Sequence, residues 1–251
     1  MKLRLDKLLV ERGLVPSRER AQALILAGRV LVKEQKMEKA GATVGEEVAI
    51  RILGDEVPYV SRGGVKLARA LEHWHIDVAG KMCLDVGAST GGFTDCLLQA
   101  GAARVIAVDT GYGQMDAQLR TDPRVRLLEK TNARYLTPEQ LWGSDPPQPI
   151  GVVAMDVSFI SATIVLPAVV RCVGASSPQW ELVVLVKPQF EVGRGQVGKG
   201  GIVRDAGAQL IAAAKVASAV EGLGGATIQA IESPILGAEG NREFLLHANF
   251  S

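Results

Sequence analysis

Cysteine is nearly absent from this chain of 251 residues: only Cys83, Cys96 and Cys172 occur. Their spacing matches no metal site, so no metal is expected, and their odd number argues against a disulfide framework. They read as small core residues in a reducing compartment. Long apolar runs are missing too. The stretch most like a membrane span covers residues 151–170, but it carries Asp156 and Pro167, and an aspartate there costs roughly 3 kcal/mol on insertion scales. A strand, loop and helix of a folded core explain it better. The opening Met1-Lys2-Leu3-Arg4-Leu5-Asp6 alternates charge with leucine and lacks the apolar segment of a secretory signal. No repeat or low-complexity tract is visible. These absences predict a cytoplasmic protein without stable membrane association.

What is present is ordinary for a folded chain, with 47% apolar and 22% charged residues. The length suits one large domain plus a small one. The net charge of +1 hides an asymmetry. Residues 1–72 hold 14 Lys/Arg against 10 Asp/Glu, and the remainder 14 against 17. A basic head on a slightly acidic body points to a polyanion as the head's partner.

In the head, Leu5, Leu8 and Leu9 followed by Gly13 predict a short amphipathic helix with a glycine stop. Ser17 can cap a second helix with inner face Ala21, Leu24 and Ile25, ended by Gly28. Residues 29–33 then alternate as a half-buried strand, and residues 48–52 form another after the turn at Gly45. Arg12, Arg18, Arg20, Arg29 and Lys33 fall on the polar surfaces. The strings Arg4-Leu5-Asp6-Lys7-Leu8-Leu9 and Ser17-Arg18, with Ala21, Leu24-Ile25, Gly28, Val30 and Val32, resemble a small RNA-binding module. A bacterial small-subunit ribosomal protein, many pseudouridine synthases and tyrosyl-tRNA synthetases share it. The resemblance implies an α+β RNA-binding domain over residues 1–58, with RNA contacts from Arg4, Lys7, Arg18, Arg20, Arg29 and Lys33.

After Asp55-Glu56 and Pro58 the pattern turns to strands alternating with helices. Strands are predicted at 81–86, 104–109, 124–128, 152–156, 182–186, 227–232 and 243–249, and helices at 92–99, 162–172 and 206–221. Runs apolar throughout, such as Leu182-Val183-Val184-Leu185-Val186, suit a parallel sheet covered on both faces. Residues 59–251 therefore read as a doubly wound α/β domain. The Gly/Lys-rich stretch 193–201 reads as a mobile loop.

The strongest chemical signal is Leu84-Asp85-Val86-Gly87-Ala88-Ser89-Thr90-Gly91-Gly92-Phe93-Thr94, where a strand ends, glycines turn the chain and a helix begins. No Gly-Lys-Ser/Thr follows, so it is not a Walker loop, and the dinucleotide pattern Gly-x-Gly-x-x-Gly is absent. Asp85 would sit poorly beside a pyrophosphate, whereas a carboxylate there can reach the ammonium of a ligand with an amino-acid end. Asp109 closes the next strand, a position that typically accepts from ribose hydroxyls, although alone it also reads as a helix cap. Asn132 can meet an adenine or simply occupy a turn. The combination predicts S-adenosylmethionine, with a nucleotide or NAD-type ligand as the alternative. Asp85, Gly87, Ser89, Gly91, Phe93, Asp109, Asn132 and Asp156 are the expected cofactor contacts.

Asp156 in Met155-Asp156-Val157-Ser158-Phe159 and Lys187 in Val186-Lys187-Pro188-Gln189-Phe190-Glu191 fall at strand ends, on the edge where open α/β sheets bind ligands. A lysine there must be paired or exposed. Lys66 and Glu243 complete a possible set of four, although singly each reads as a surface charge. These strings, with Tyr59-Val60-Ser61-Arg62-Gly63-Gly64-Val65-Lys66-Leu67 and Gly240-Asn241-Arg242-Glu243-Phe244, resemble the TlyA family. Its catalytic domain is similar to FtsJ-type ribose 2′-O-methyltransferases. The likeness runs over essentially the whole chain, and it implies a Rossmann-like methyltransferase sheet. It also implies a catalytic set of Lys66, Asp156, Lys187 and Glu243, and methylation of cytidine ribose in ribosomal RNA or ribosomal subunits. Glu239 is distinguished from Glu243 because only the latter lies in the Gly-Asn-x-Glu-Phe string. Lys187 is expected to act as base or to stabilise the alkoxide, with Asp156 and Glu243 orienting the lysines and Lys66 holding the target nucleotide. Some members carry haemolysin names, so a membrane-active or RNA-binding protein without methyl transfer is the alternative, but neither an apolar span nor a lytic helix is visible. A small-molecule methyltransferase with a dispensable head is a third reading.

Overall fold

The computed structural model of the chain describes residues 2–15, 17–53, 58–237 and 240–251. Asp55 and Glu56, where the sequence pattern changes, and Glu239 lie outside the described residues. The chain divides into two compact units, Met1–Glu56 and Val57–Ser251.

The first unit runs β1 (Lys2–Arg4), α1 (Leu5–Glu11), α2 (Arg18–Leu26), β2 (Val30–Val32), β3 (Gln35–Met37), β4 (Thr43–Gly45) and β5 (Ile50–Ile52). Ser17 caps α2 by accepting from Arg20 N at 3.2 Å. Leu5, Leu8, Leu9, Ala21, Leu24 and Ile25 pack with Val30 and Val32 in one cluster. β2 is buried along its whole length rather than alternating, because it is the middle strand of the order β3-β2-β5. Lys33 ends no strand. With Glu34 it forms the two-residue hairpin between Val32 and its partner Gln35, both at positive φ (51° and 63°), a conformation that costs roughly 1–2 kcal/mol per non-glycine residue. Strands β1, β3 and β4 have no counterpart in the sequence pattern; at 3 residues each they are too short to show a period.

The second unit is a three-layer α/β domain. Its sheet contains β6 (Met82–Val86), β7 (Arg104–Val108), β8 (Val125–Leu128), β9 (Ile150–Met155), β10 (Trp180–Val186), β11 (Ala226–Glu232) and β12 (Phe244–Phe250) in the order β11-β12-β10-β9-β6-β7-β8. The layers come from alternation within apolar strands. Leu182, Val184 and Val186 face one core with Val165, Val169 and Val216, while Val183 and Leu185 face the other with Leu67, Phe93 and Leu97. The first core lies under α7 (Ala162–Gly174) and α9 (Ala206–Gly222), the second under α3 (Gly63–Trp74) and α4 (Gly92–Gln99). Three short helices, α5 (Ala117–Thr121), α6 (Pro138–Trp142) and α8 (Pro188–Glu191), fill connections.

The sheet is not parallel throughout: β12 runs antiparallel to both β10 and β11. Its first residues therefore lie at the same edge as the last residues of β10, with Val186 opposite Phe244. Helix α3 is absent from the helices that the sequence pattern predicts. It opens on Gly63-Gly64 without a side-chain cap, which disguises a regular inner face of Lys66, Leu67, Ala70 and Leu71. The three cysteines are buried and free. Burial pushes the Cys83 and Cys96 thiols up to about 12, so both stay protonated.

Candidate active site

From β6 the chain moves outward through β7 and β8 on one side and through β9 and β10 on the other. The strand order thus reverses between β6 and β9, and ligands of open α/β sheets bind outside the carboxyl ends at such a switch point. A cleft of about 340 Å³ lies there, its wall including Gly87, Ser89, Asp109, Asn132, Asp156 and Phe159.

The first wall comes from the glycine turn after β6. Gly87 stands at φ +89°, and a Cβ there would run into the Asp156 carbonyl, so only glycine permits both the turn and the close approach of the β9 end. Asp109 accepts from Ser89 N at 2.8 Å and Gly111 N at 2.6 Å, joining the turns after β6 and β7. Its oxygens thus have backbone partners, and its further lone pairs remain for a hydroxyl-bearing ligand. Asn132 accepts from Arg134 N at 3.0 Å, which is the turn role, while also lining the cleft.

Asp85, Gly91 and Phe93 are not among the cleft-lining residues. Phe93 points inward from the first turn of α4 and packs with Leu67 and Leu97. Gly91 stands at φ +95° at the N-cap of α4. Asp85 is wholly buried at the end of β6, where Thr94 Oγ1 donates to Oδ2 at 2.6 Å and Oδ1 has no hydrogen-bond partner among the described residues. Burial, above all, pushes its carboxyl up to about 7, Thr94 opposing and Asp156 reinforcing the shift. The acidic wall formed by Asp109 and Asp156 fits a ligand with a cationic amino-acid end and a ribose, as S-adenosylmethionine has, while Asp85 stays enclosed behind Thr94.

The four residues expected to carry chemistry form two ion pairs. Lys187 Nζ lies 2.5 Å from Asp156 Oδ1 and donates to Ser158 Oγ at 2.6 Å. Lys66, on α3, donates to Glu243 Oε2, and both side chains are buried. Lys187 follows Val186 and Glu243 precedes Phe244, a paired register position, so the two pairs sit at adjoining strand ends. Asn241, only 1% exposed, accepts from Val203 N and donates to Gly201 O, each at 2.9 Å, tying the end of the glycine-rich loop to the segment before β12. Two neighbours lie in the Met155-Asp156-Val157-Ser158-Phe159 string, but nothing local in the sequence gives either of them a role. Ser158 is the second partner of Lys187, and Phe159 is 92% exposed on the cleft wall at φ +64°. A bulky side chain in that backbone region is uncommon enough to signal function.

In the first unit the expected RNA contacts separate into two kinds. Arg4 and Arg18 each reach the buried carboxylate of Asp6 at 3.0 Å, and Gln22 donates to it at 2.9 Å. These donors hold Asp6 well below the usual carboxylate range, the Arg4 hydrogen bond most of all. Lys7 pairs with Glu11 at 3.4 Å, and Arg29 donates to Leu53 O at 2.8 Å. Arg20 and Lys33 form no ion pair among the described residues. The basic excess of the head is also smaller than the count over residues 1–72 implied. Residues 1–56 hold 11 Lys/Arg against 9 Asp/Glu, because Arg62, Lys66 and Arg69 belong to the second unit.

Comparison with known proteins bears on both units. Residues 59–250 match the FtsJ-like methyltransferase family, and residues 3–50 match the S4 domain. The chain is 47% identical to the 16S/23S rRNA (cytidine-2'-O)-methyltransferase TlyA of Mycobacterium tuberculosis, over 97% of this chain and 88% of that protein. It is 40% identical to Hemolysin A of Brachyspira hyodysenteriae, over 98% and 99% of the two chains. A solved structure of a Streptococcus thermophilus protein described as a candidate hemolysin superposes with a TM-score of 0.76 at 37% identity, over 100% of this chain and 89% of that one.

Proposed function

The chain belongs to the FtsJ-like methyltransferase family, and from that premise we propose that it transfers a methyl group from S-adenosylmethionine to a ribose 2′-hydroxyl of ribosomal RNA, with cytidine as the nucleoside. The observation that carries this reading is Lys187, held between Asp156 and Ser158 at the edge of the switch-point cleft. The relative from Mycobacterium tuberculosis, named for cytidine-2'-O-methylation of rRNA, supports the substrate. S-adenosylmethionine supplies an electrophilic methyl group when bound. The attacking hydroxyl must lose its proton, and Lys187 Nζ takes it or stabilises the developing alkoxide. Asp156 aims that ammonium, and Ser158 fixes it from a second direction. The Lys66–Glu243 pair at the adjoining strand end orients the nucleotide. Phe159 offers an open ring on which a base can stack, a contact worth roughly 1–3 kcal/mol. Alignment of methyl and oxygen supplies much of the rate.

Residues 1–58 serve as the RNA-binding module, a reading supported by the S4 match, and a ribosomal substrate puts the work in the cytoplasm. No helix among the described residues is long and apolar enough to cross a membrane, and nothing in the cleft favours a membrane-active role over methyl transfer. Mass-spectrometric mapping of ribose methylation in ribosomal RNA, with and without the gene, tests the proposal. At least one 2′-O-methylcytidine should disappear on deletion and return on complementation; an unchanged map sinks it.

A further inference from the structure

We infer that Glu191 is a positioning residue for methyl transfer, acting through Lys187; the inference rests on the functional reading above. Glu191 lies at the far end of the one-turn helix α8, whose N-cap is Lys187. Its carboxylate is buried and is not part of the cleft wall. Instead it accepts from Ser161 Oγ at 2.5 Å and Ala162 N at 2.6 Å, where α7 begins.

The two segments are joined like a ladder. Asp156 and Ser158 lie on the β9–α7 connection and hold Lys187 at one end of α8. Ser161 and Ala162, at the other end of the same connection, hold Glu191. Between them the rings of Phe159 and Phe190 meet at 5.5 Å. From a third element, α9, Lys215 Nζ approaches Glu191 Oε2 at 3.3 Å and donates to its carbonyl at 2.8 Å.

A buried carboxylate is costly unless it is paired and hydrogen-bonded. Among the described residues, the partners of this one lie on the connection that carries Asp156 and Ser158, or on the helix that braces it. A one-turn helix has no packing length of its own with which to set its rotation, so its two end contacts set it. Releasing the Glu191 end lets α8 turn about the Lys187 end and moves Nζ off the line to the attacking oxygen. Misplacement by about 1 Å can cost on the order of 10²-fold in rate.

The test is single-turnover methyl transfer from tritiated S-adenosylmethionine to ribosomal subunits, using the full chain. Glu191→Ala should lower the rate constant by about 10- to 100-fold, with cofactor affinity and half-saturating RNA concentration within about twofold of the parent. Glu191→Gln, which keeps an acceptor for Ser161 and Ala162, should recover part of the loss. Combining Glu191→Ala with Lys187→Ala should give a protein no slower than Lys187→Ala alone, because residues that act as a unit are non-additive. A purely structural role would make the combined loss additive. Additive losses, a parental rate in folded Glu191→Ala, or a loss confined to binding would each overturn the inference. Should Glu191→Ala fail to fold, Glu191→Gln and Lys215→Met, whose side chain is 46% exposed in the parent, carry the same comparison. Parent protein that transfers no methyl group at all refutes the functional reading; an active parent with fully active Glu191 variants refutes only this inference.

Discussion

Lys66 on α3 and Glu243, the residue just before β12, form a buried ion pair across 177 positions of sequence. The pair fastens the amino-terminal helix of the domain to its last strand. Breaking such a pair from one side leaves an uncompensated charge, which typically costs 3–5 kcal/mol, whereas replacing both partners by apolar residues is far milder. Urea unfolding should therefore show Glu243→Leu destabilised by roughly 3–5 kcal/mol and the double variant with Lys66→Met recovering at least half of that. A double variant no more stable than the single one would show that the pair is not the source of the loss.

Lys187 should be indispensable for chemistry and dispensable for binding. Replacing a general acid–base group costs about 10²- to 10⁴-fold in rate, so Lys187→Ala should all but abolish methyl transfer while calorimetry shows cofactor binding intact. Lys187→Arg should fail as well, since a guanidinium keeps its proton at any useful pH and has a planar head. Full activity in Lys187→Ala would remove the residue from the reaction.

Asp85 makes stability depend on pH in a stated direction. Its folded carboxyl titrates at about 7 because it is buried, against roughly 4 in an unfolded chain. Between those values the folded form keeps a proton that the unfolded form has released, so stability falls as pH rises from about 4 to about 7 and levels off above. Asp85→Asn removes that dependence. Its advantage over the parent should be larger at pH 8 than at pH 5 by on the order of 3 kcal/mol; a difference independent of pH would contradict the assignment.

The first unit should bind RNA through Arg20 and Lys33 more than through Arg4, Lys7, Arg18 and Arg29, which already have partners within the fold. Reversing both charges should flatten the dependence of RNA affinity on salt, by about 1 in slope for each phosphate that is no longer neutralised, with cofactor binding unchanged. Arg18→Glu should behave differently, lowering the thermal midpoint of the protein, because it sets a second carboxylate against buried Asp6. Equal salt slopes for parent and Arg20→Glu/Lys33→Glu would place the RNA surface elsewhere.

Local pattern decided much of this protein without help from the rest of the chain. The apolar runs of β6, β7, β9 and β10, the glycine turn at Gly87, and the Ser17 cap each depend on residues a few positions apart, where steric preference and hydrophobicity speak directly. Helix α4 falls at the predicted 92–99 for the same reason. Long-range facts were another matter. The antiparallel direction of β12, the Lys66–Glu243 pair, the commitment of Arg4 and Arg18 to Asp6, and the enclosure of Asp85 all arise when distant segments compete for the same buried space. A charged residue carries no local sign of whether it will meet water, phosphate or a partner across the core. That choice belongs to the tertiary structure, because the cost of burying a charge is settled only by what lies next to it.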